Sequence, residues 1–273
     1  MATLPMSPQV FAILTTLIEQ RAGLHYAPED RELLEDKVSG RALDAGFDSL
    51  LDYYYFLRHD ASGPAALDAL VDTLLVHETY FFREAPPLEA LADEVLVPAV
   101  RAGRKPRVWC AACATGEEPL TLAMMLAERG VLKDVELVAS DLSPRALERA
   151  RAGEHNLRAL RSLPPGVEGR WLDVEGGRPR VRPEVAGVVD WRRINLVDAA
   201  AVEALGTFDA ILCRNVLIYF QDATARRVVE LLAGALVPGG VLLVGTSESL
   251  MRFGTALNCE ERRGAFFYIK AGT

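Results

Sequence analysis

Apolar residues recur at helical spacing through residues 1–75. Ser7 and Pro8 have the form of an N-cap followed by a first-turn proline, and Val10, Phe11, Leu14, Leu17 and Ile18 behind them fall on one face. A second helix carries Leu33, Leu34, Val38 and Leu43. A third begins after Asp48 and includes Tyr53 to Leu57, and a fourth after Pro64 carries Leu67, Leu70, Val71 and Leu74. Four short helices of this kind form a small bundle.

From Trp109 onward the pattern changes to strands alternating with helices. Apolar β-prone runs fall at 107–111, 135–140, 208–213 and 240–246, and helical periodicity falls near 118–129, 144–152 and 223–236. Leu236 to Val244 reads as a helix end, a turn and a strand. Such alternation predicts a doubly wound, mostly parallel sheet of Rossmann-like α/β type, which takes its ligands at the carboxyl ends of the strands. The rhythm breaks at about 165–193, where Trp171 to Val174 and Arg178 to Arg182 flank Gly176-Gly177 and predict an inserted antiparallel hairpin. The expected division is an N-terminal all-α domain at 1–75 and an α/β domain at 76–273 that contains the small β subdomain.

The chain has 273 residues, half of them hydrophobic, and carries a net charge of −8. That length supports one sizeable core plus a smaller module. With no Lys/Arg-rich block, a nucleic-acid substrate is disfavoured. The apolar run Val10 to Ile18 is too short to span a bilayer and has no charged segment before it, so a cytoplasmic protein is expected. Cys110 and Cys113 form a C-x-x-C with no second pair and no nearby histidine, so no metal site is expected from them.

Candidate chemistry concentrates where strands end. Cys113 to Pro119 lies between the strand 107–111 and an amphipathic helix, and a small-residue turn there brings backbone N–H groups to a ligand. Glu117 and Glu118 open that helix and would repel a pyrophosphate, so the ligand should be a nucleoside without phosphate. S-adenosylmethionine (SAM), with sulfonium and ammonium charges, fits. Asp141 follows the next strand at close to the roughly 20-residue separation from a Gly-rich turn at which such folds hold ribose hydroxyls, and Ser143-Pro144 then start another helix. Arg214 and Asn215 end the strand Phe208 to Cys213, where polar side chains meet ligands. Asn195, after the β-prone run Val188 to Ile194, could read an adenine edge or simply close an Asx turn. His77, Thr79 and Arg83 carry polar groups out of an aromatic cluster that contains Phe81 and Phe82.

The strings Glu78-Thr79-Tyr80-Phe81-Phe82-Arg83-Glu84, Ala114-Thr115-Gly116-Glu117-Glu118-Pro119, Ala139-Ser140-Asp141, Asn195-Leu196 and Cys213-Arg214-Asn215-Val216-Leu217-Ile218-Tyr219-Phe220 resemble the chemotaxis receptor glutamate O-methyltransferases, the CheR family. The resemblance runs nearly end to end and keeps the motif order. It implies SAM contacts at His77, Thr79, Arg83, Glu117, Asp141, Asn195, Leu196, Arg214 and Asn215, and it places Arg83 and Tyr219 beside the transferred methyl. One departure is His77, where asparagine is common in the family. The implied partner is the cytoplasmic helical region of methyl-accepting chemotaxis receptors, met by a monomer without insertion into the membrane.

A glutamate carboxylate, with an ordinary pKa of about 4.3, needs no general base to accept a methyl group at neutral pH. The task is to position it and exclude water. An N-methyltransferase of the same fold would carry an Asn/Asp-Pro-Pro-aromatic turn after the fourth strand, which Cys213 to Val216 is not. A non-catalytic module that senses S-adenosylhomocysteine or docks on receptors would not need Arg83 and Tyr219. Lys37 and Arg41, four apart on one helical face, could steer the N-terminal domain toward acidic receptor helices, although Glu32, Glu35, Asp36 and Asp44 share the segment. Some members of the family hold a receptor-tail pentapeptide on the inserted hairpin, and these resemble one another in a longer, glycine-rich turn. The turn here is only Glu175 to Arg178, so no dependence on such a tether is expected.

Overall fold

The computed structural model describes residues 3–272, and contacts divide the chain into two compact units. The first runs up to Val76 and also takes in Tyr219–Thr224. The second is His77–Ile218 with the stretch from Ala225 onward.

Local signals account for the helices of the first unit. α1 (Pro8–Ala22) starts at Ser7, whose hydroxyl accepts the Val10 N–H at 3.2 Å, and stops at Gly23 in the left-handed conformation. α2 (Arg31–Asp44), α3 (Leu50–His59) and α4 (Gly63–Leu74) follow, with Ser49 capping α3 through the Asp52 N–H. Leu14, Ile18, Leu34, Val38 and Leu70 are fully buried, and Phe47 packs on Tyr53 and Phe56 with centroids 5.4 and 5.1 Å apart. Two readings of α2 change. Leu33 and Leu43 face outward, because they sit a step off the stripe that Leu34 and Val38 bury. Arg41 is half-buried with its Nε enclosed, and its charge acts on Tyr53, while Glu32, Asp36 and Asp44 are exposed. The outer face of α2 thus carries exposed acids beside the half-buried Lys37, and Arg41 is only partly presented there.

The second unit begins with a helical stretch to which the sequence pattern assigned no element. α5 (Ala85–Leu91) passes through a π-turn (Ala92–Leu96) into α6 (Val97–Arg101). The Val97 N–H reaches back to the Ala92 carbonyl just before Pro98, which has no N–H to continue an α-helical ladder. Prolines 86, 87 and 98 disguise this helix in the sequence.

The α/β rhythm then unfolds as read: β1 (Arg107–Ala111), α7 (Glu117–Glu128), β2 (Glu136–Asp141) and α8 (Pro144–Ala152). The inserted hairpin is β3 (Leu172–Glu175) and β4 (Arg178–Val181), joined by Gly176 and Gly177, both at positive φ as a two-residue hairpin turn requires. After α9 (Pro183–Ala186) come β5 (Val189–Arg193), α10 (Ala199–Glu203), β6 (Phe208–Cys213), α11 (Asp222–Gly234) and β7 (Leu236–Val244). β7 begins before Pro238, where the sequence reading had a helix end and a turn. Pro238 and Gly239 are exposed beside a register shift in the β6 pairing, an irregularity that tolerates proline. A closing hairpin, β8 (Asn258–Arg262) and β9 (Ala265–Ile269), was not anticipated.

The main sheet has the order β5-β2-β1-β6-β7-β9-β8, parallel from β5 to β7 and antiparallel beyond. Its central strands are buried on both faces, which is why β1 and β6 read as continuous apolar runs. Trp109 is wholly buried and still satisfies its indole N–H on Ser140 Oγ at 2.9 Å. The chain passes outward from β1 to β2 and β5, then returns to β6 and β7 on the other side. The switch point thus falls between β1 and β6, where such sheets bind ligands.

Candidate active site

The turn after β1 is built from strained backbone. Ala112, Ala114 and Gly116 all have positive φ (54°, 48° and 91°), costing roughly 1–2 kcal/mol for each non-glycine residue. Two contacts from β2 hold it: the Cys113 N–H donates to the Ser140 carbonyl, and the Ala114 N–H donates to Asp141 Oδ2, each at 2.8 Å. Glycine is obligatory at 116, since a Cβ there would lie 2.7 Å from the Trp191 ring and 2.9 Å from Ala150.

Asp141 is buried, and its Oδ1 accepts the Ser143 N–H at 2.8 Å. Burial pushes its pKa above the ordinary carboxylate range, against the backbone N–H donors and the nearby charge of His77. It therefore holds the cofactor loop and the start of α8 while two oxygens with further lone pairs remain as acceptors. β5 lies beside β2 with Asp141 opposite Arg193, so Asn195 and Leu196 leave the sheet at the same edge. Leu196 is buried, and Asn195 Oδ1 accepts the Val197 N–H at 3.3 Å, the Asx turn.

The two glutamates that open α7 are compensated rather than presented as bare charge. Glu117 is buried, with Oε2 accepting from Thr115 Oγ1 at 2.7 Å and Oε1 at 2.8 Å from Nδ1 of the buried His155. Burial works to raise its pKa, but His155 and Thr115 outweigh that and hold it below the usual range. His155 packs edge-on against Phe81 at 4.7 Å, and Thr121 links the same helix turn to the Phe82 N–H. Glu117 thus opens α7 directly after the loop, with both carboxylate oxygens engaged. Glu118 pairs with Arg214 at 2.7 Å.

Arg214, exposed by only 2% at its side chain, joins three segments. It donates to Glu118, to Glu84 Oε2 at 2.9 Å and to the Arg83 and Glu84 carbonyls at 3.1 and 3.3 Å. Burial opposes the guanidinium charge, yet the two carboxylates outweigh it and strengthen its hold on the proton. The carboxylates diverge: burial pushes Glu118 up despite Arg214, whereas Glu84 is held down against burial by Arg214, the Thr246 N–H and the Asn215 side chain. Glu84 and Asn215 are themselves at positive φ, 46° and 57°. Glu248, in the loop after β7, accepts the Asn215, Gly245 and Leu217 N–H groups at 2.6, 2.8 and 2.8 Å.

Arg83 is partly buried. Its Nη1 donates to the Glu78 carbonyl at 2.7 Å, its Nε lies 4.0 Å from Glu84, and it faces the Tyr80 ring at 5.8 Å, with Arg161 closer to that ring at 3.6 Å. His77 and Thr79 are half-buried, and His77 Nε2 is enclosed without a partner. Tyr219 ends a 3-10 turn after Asn215 but belongs to the first unit, where its carbonyl accepts the His25 N–H at 2.9 Å. Cys110 and Cys113 are buried free thiols whose pKa values burial pushes well up, so C-x-x-C supplies core packing.

The structure therefore gathers Arg83, Glu117, Asp141, Asn195, Leu196, Arg214 and Asn215 around the carboxyl ends of β1, β2, β5 and β6. The sequence reading missed Glu84, His155 and Glu248. Only Glu84, inside a quoted motif, carried a local signal. The groups present suit SAM: a turn at Gly116 that leaves no room for a side chain, a buried carboxylate at Asp141 that can accept from hydroxyls, and enclosed nitrogens of His77 and Arg214 that lack protein partners.

Comparison with known proteins identifies the family of both parts of the chain. The family described as CheR methyltransferase, SAM binding domain, matches residues 77–265, and CheR methyltransferase, all-alpha domain, matches residues 9–75. Chemotaxis protein methyltransferase 2 of Vibrio cholerae is 34% identical over 257 residues, covering 92% of this chain and 89% of that protein. Chemotaxis protein methyltransferase 1 of Pseudomonas aeruginosa is 34% identical, covering 88% and 90%, and the chemotaxis protein methyltransferase of Klebsiella aerogenes is 36% identical, covering 90% and 85%. This chain is a SAM-dependent methyltransferase and belongs to the CheR family.

Proposed function

We propose that this chain methylates glutamate side-chain carboxylates of methyl-accepting chemotaxis receptors, leaving glutamate methyl esters and S-adenosylhomocysteine. Arg83 carries the reading. Its guanidinium is partly buried and anchored through Glu78, and its own carbonyl is held by Arg214 at the end of β6. The fork keeps donors beyond the one given to Glu78, and a planar fork matches a carboxylate in two-point fashion.

When bound, SAM supplies an electrophilic methyl on its sulfonium. Asp141 would accept from its ribose hydroxyls, and His77, Thr79, Arg83, Glu117, Asn195, Leu196, Arg214 and Asn215 would complete the binding surface. A glutamate with a pKa of about 4.3 arrives ionised, so Arg83 orients it and Tyr219 contributes one hydrogen bond without exchanging a proton. On this reading the domain at 1–75 recognises the substrate, the domain at 76–273 performs the transfer, and a monomer works in the cytoplasm on the receptors' helical region. Among the described residues, no helix is long and apolar enough to cross a membrane.

The test is incubation with SAM labelled at the methyl group and receptor-bearing membranes. Label that enters the receptor and is released as methanol by alkali supports carboxylate methylation. Label that resists alkali, or enters no receptor, defeats it.

A further inference from the structure

Glu248 lies outside every motif that pointed to the site, yet its carboxylate joins two of the loops that form it. We propose that Glu248 is a positioning residue for SAM binding, holding the Arg214-Asn215 turn in its binding shape. Oε2 accepts the N–H groups of Asn215 (2.6 Å) and Gly245 (2.8 Å), and Oε1 accepts that of Leu217 (2.8 Å). One side chain thereby satisfies both ends of the turn after β6 and ties it to the loop after β7.

The turn needs such an anchor. Asn215 sits at φ 57°, in the left-handed region, which asparagine enters more readily than other non-glycine residues but only as one of several accessible states, so its neighbours select it. The fit is close on the other side as well, since a Cβ on Gly245 would come within 2.6 Å of Asn215 Nδ2 and 2.8 Å of Glu248 Oε2. Glu84 adds a second tie between the same loops by accepting the Thr246 N–H at 3.1 Å while it holds Arg214. An isosteric amide cannot replace Glu248: glutamine has one acceptor oxygen, and its NH2 would face an N–H donor.

The inference rests on the reading that Arg214 and Asn215 contact SAM, and the experiment separates the two. S-adenosylhomocysteine is titrated calorimetrically into the wild type and the Glu248→Gln, Gly245→Ala and Asn215→Ala variants, and melting is recorded on the same samples. Asp209→Asn serves as control. Its carboxylate also accepts a backbone N–H, that of Arg107 at 2.9 Å, but where β1 and β6 begin. Glu248→Gln should weaken binding roughly tenfold or more, the consequence of losing hydrogen bonds to a charged acceptor. Gly245→Ala, which disturbs the same clip from the opposite side and stands in if Glu248→Gln does not fold, should weaken it likewise. Asp209→Asn should lower the melting temperature and keep wild-type affinity. Wild-type affinity in Glu248→Gln and Gly245→Ala together with weakened binding in Asn215→Ala overturns the role of Glu248 and leaves the turn as a cofactor contact. Wild-type affinity in all three overturns the turn reading, and Glu248 with it.

Discussion

Asp141 offers the sharpest test of how the site is built, because its carboxylate serves both the loop and the expected ribose. It is 7% exposed and accepts the Ala114 and Ser143 N–H groups at 2.8 Å each. A hydrogen bond to a charged group is worth about 1.5–3 kcal/mol, and a buried donor left unpaired costs a similar amount. Asp141→Ala orphans two such donors, while removing a carboxylate whose burial is itself unfavourable subtracts from the loss. A net destabilisation of roughly 3 kcal/mol is expected against a total of about 5–15 kcal/mol, so the variant folds but melts early. Cofactor affinity should fall about tenfold to a hundredfold as the hydroxyl contacts disappear. Asp141→Asn keeps one acceptor without charge but turns its NH2 toward the other N–H donor, so it should cost about 1–3 kcal/mol in stability while still weakening binding. The folded pKa lies above the ordinary 3.8, so the native state binds this proton more tightly than the unfolded chain. The associated stability is therefore present at low pH and lost as pH rises from that ordinary value through the raised one. Asp141→Asn should flatten this part of the profile. Urea unfolding across pH and calorimetric titration of S-adenosylhomocysteine measure both effects. Wild-type affinity in Asp141→Ala would refute the assignment, and an unmoved urea midpoint would refute the loop-holding role.

Arg83→Ala and Tyr219→Phe should lower turnover on receptor membranes more than they lower cofactor affinity, and wild-type rates in both would remove them from the acceptor site. His155→Ala leaves Glu117 buried without its main partner and should destabilise the protein by about 3–5 kcal/mol, read from urea midpoints; an unchanged midpoint would count against the pair. Glu117 is held below its ordinary 4.5, so its stabilisation is present above that value and fades as pH falls through the lower folded pKa; a wild-type acid transition without this loss would contradict it. Receptor tail peptides titrated into the protein should show no micromolar binding at residues 171–193, whose turn is the short Gly176-Gly177 pair; such binding would establish a tether.

Much of the architecture was legible because it is written locally. Helix caps at Ser7 and Ser143, the Gly176-Gly177 turn, and strands buried on both faces all express preferences of a few adjacent residues. The site's scaffold was legible for the same reason: Gly116, Asp141, Asn195 and Arg214 follow strands, and in a parallel sheet every strand end of that kind reaches one edge. Where proline interrupted the local pattern, at residues 85–101 and at Pro238, the reading failed although the backbone found a regular solution.

Tertiary structure decided which group answers which. Sequence alone determined that Glu117 and Glu118 open a helix beside a ligand turn; only the fold made one a buried partner of His155, 38 residues on, and the other a partner of Arg214, 96 residues on. It likewise set Glu248 against Asn215 and placed Tyr219 in the helical unit. Periodicity records how each residue meets its neighbours along one element. The identity of a buried charge's partner depends on which strand ends are brought side by side, and that is a property of the sheet order rather than of any stretch of chain.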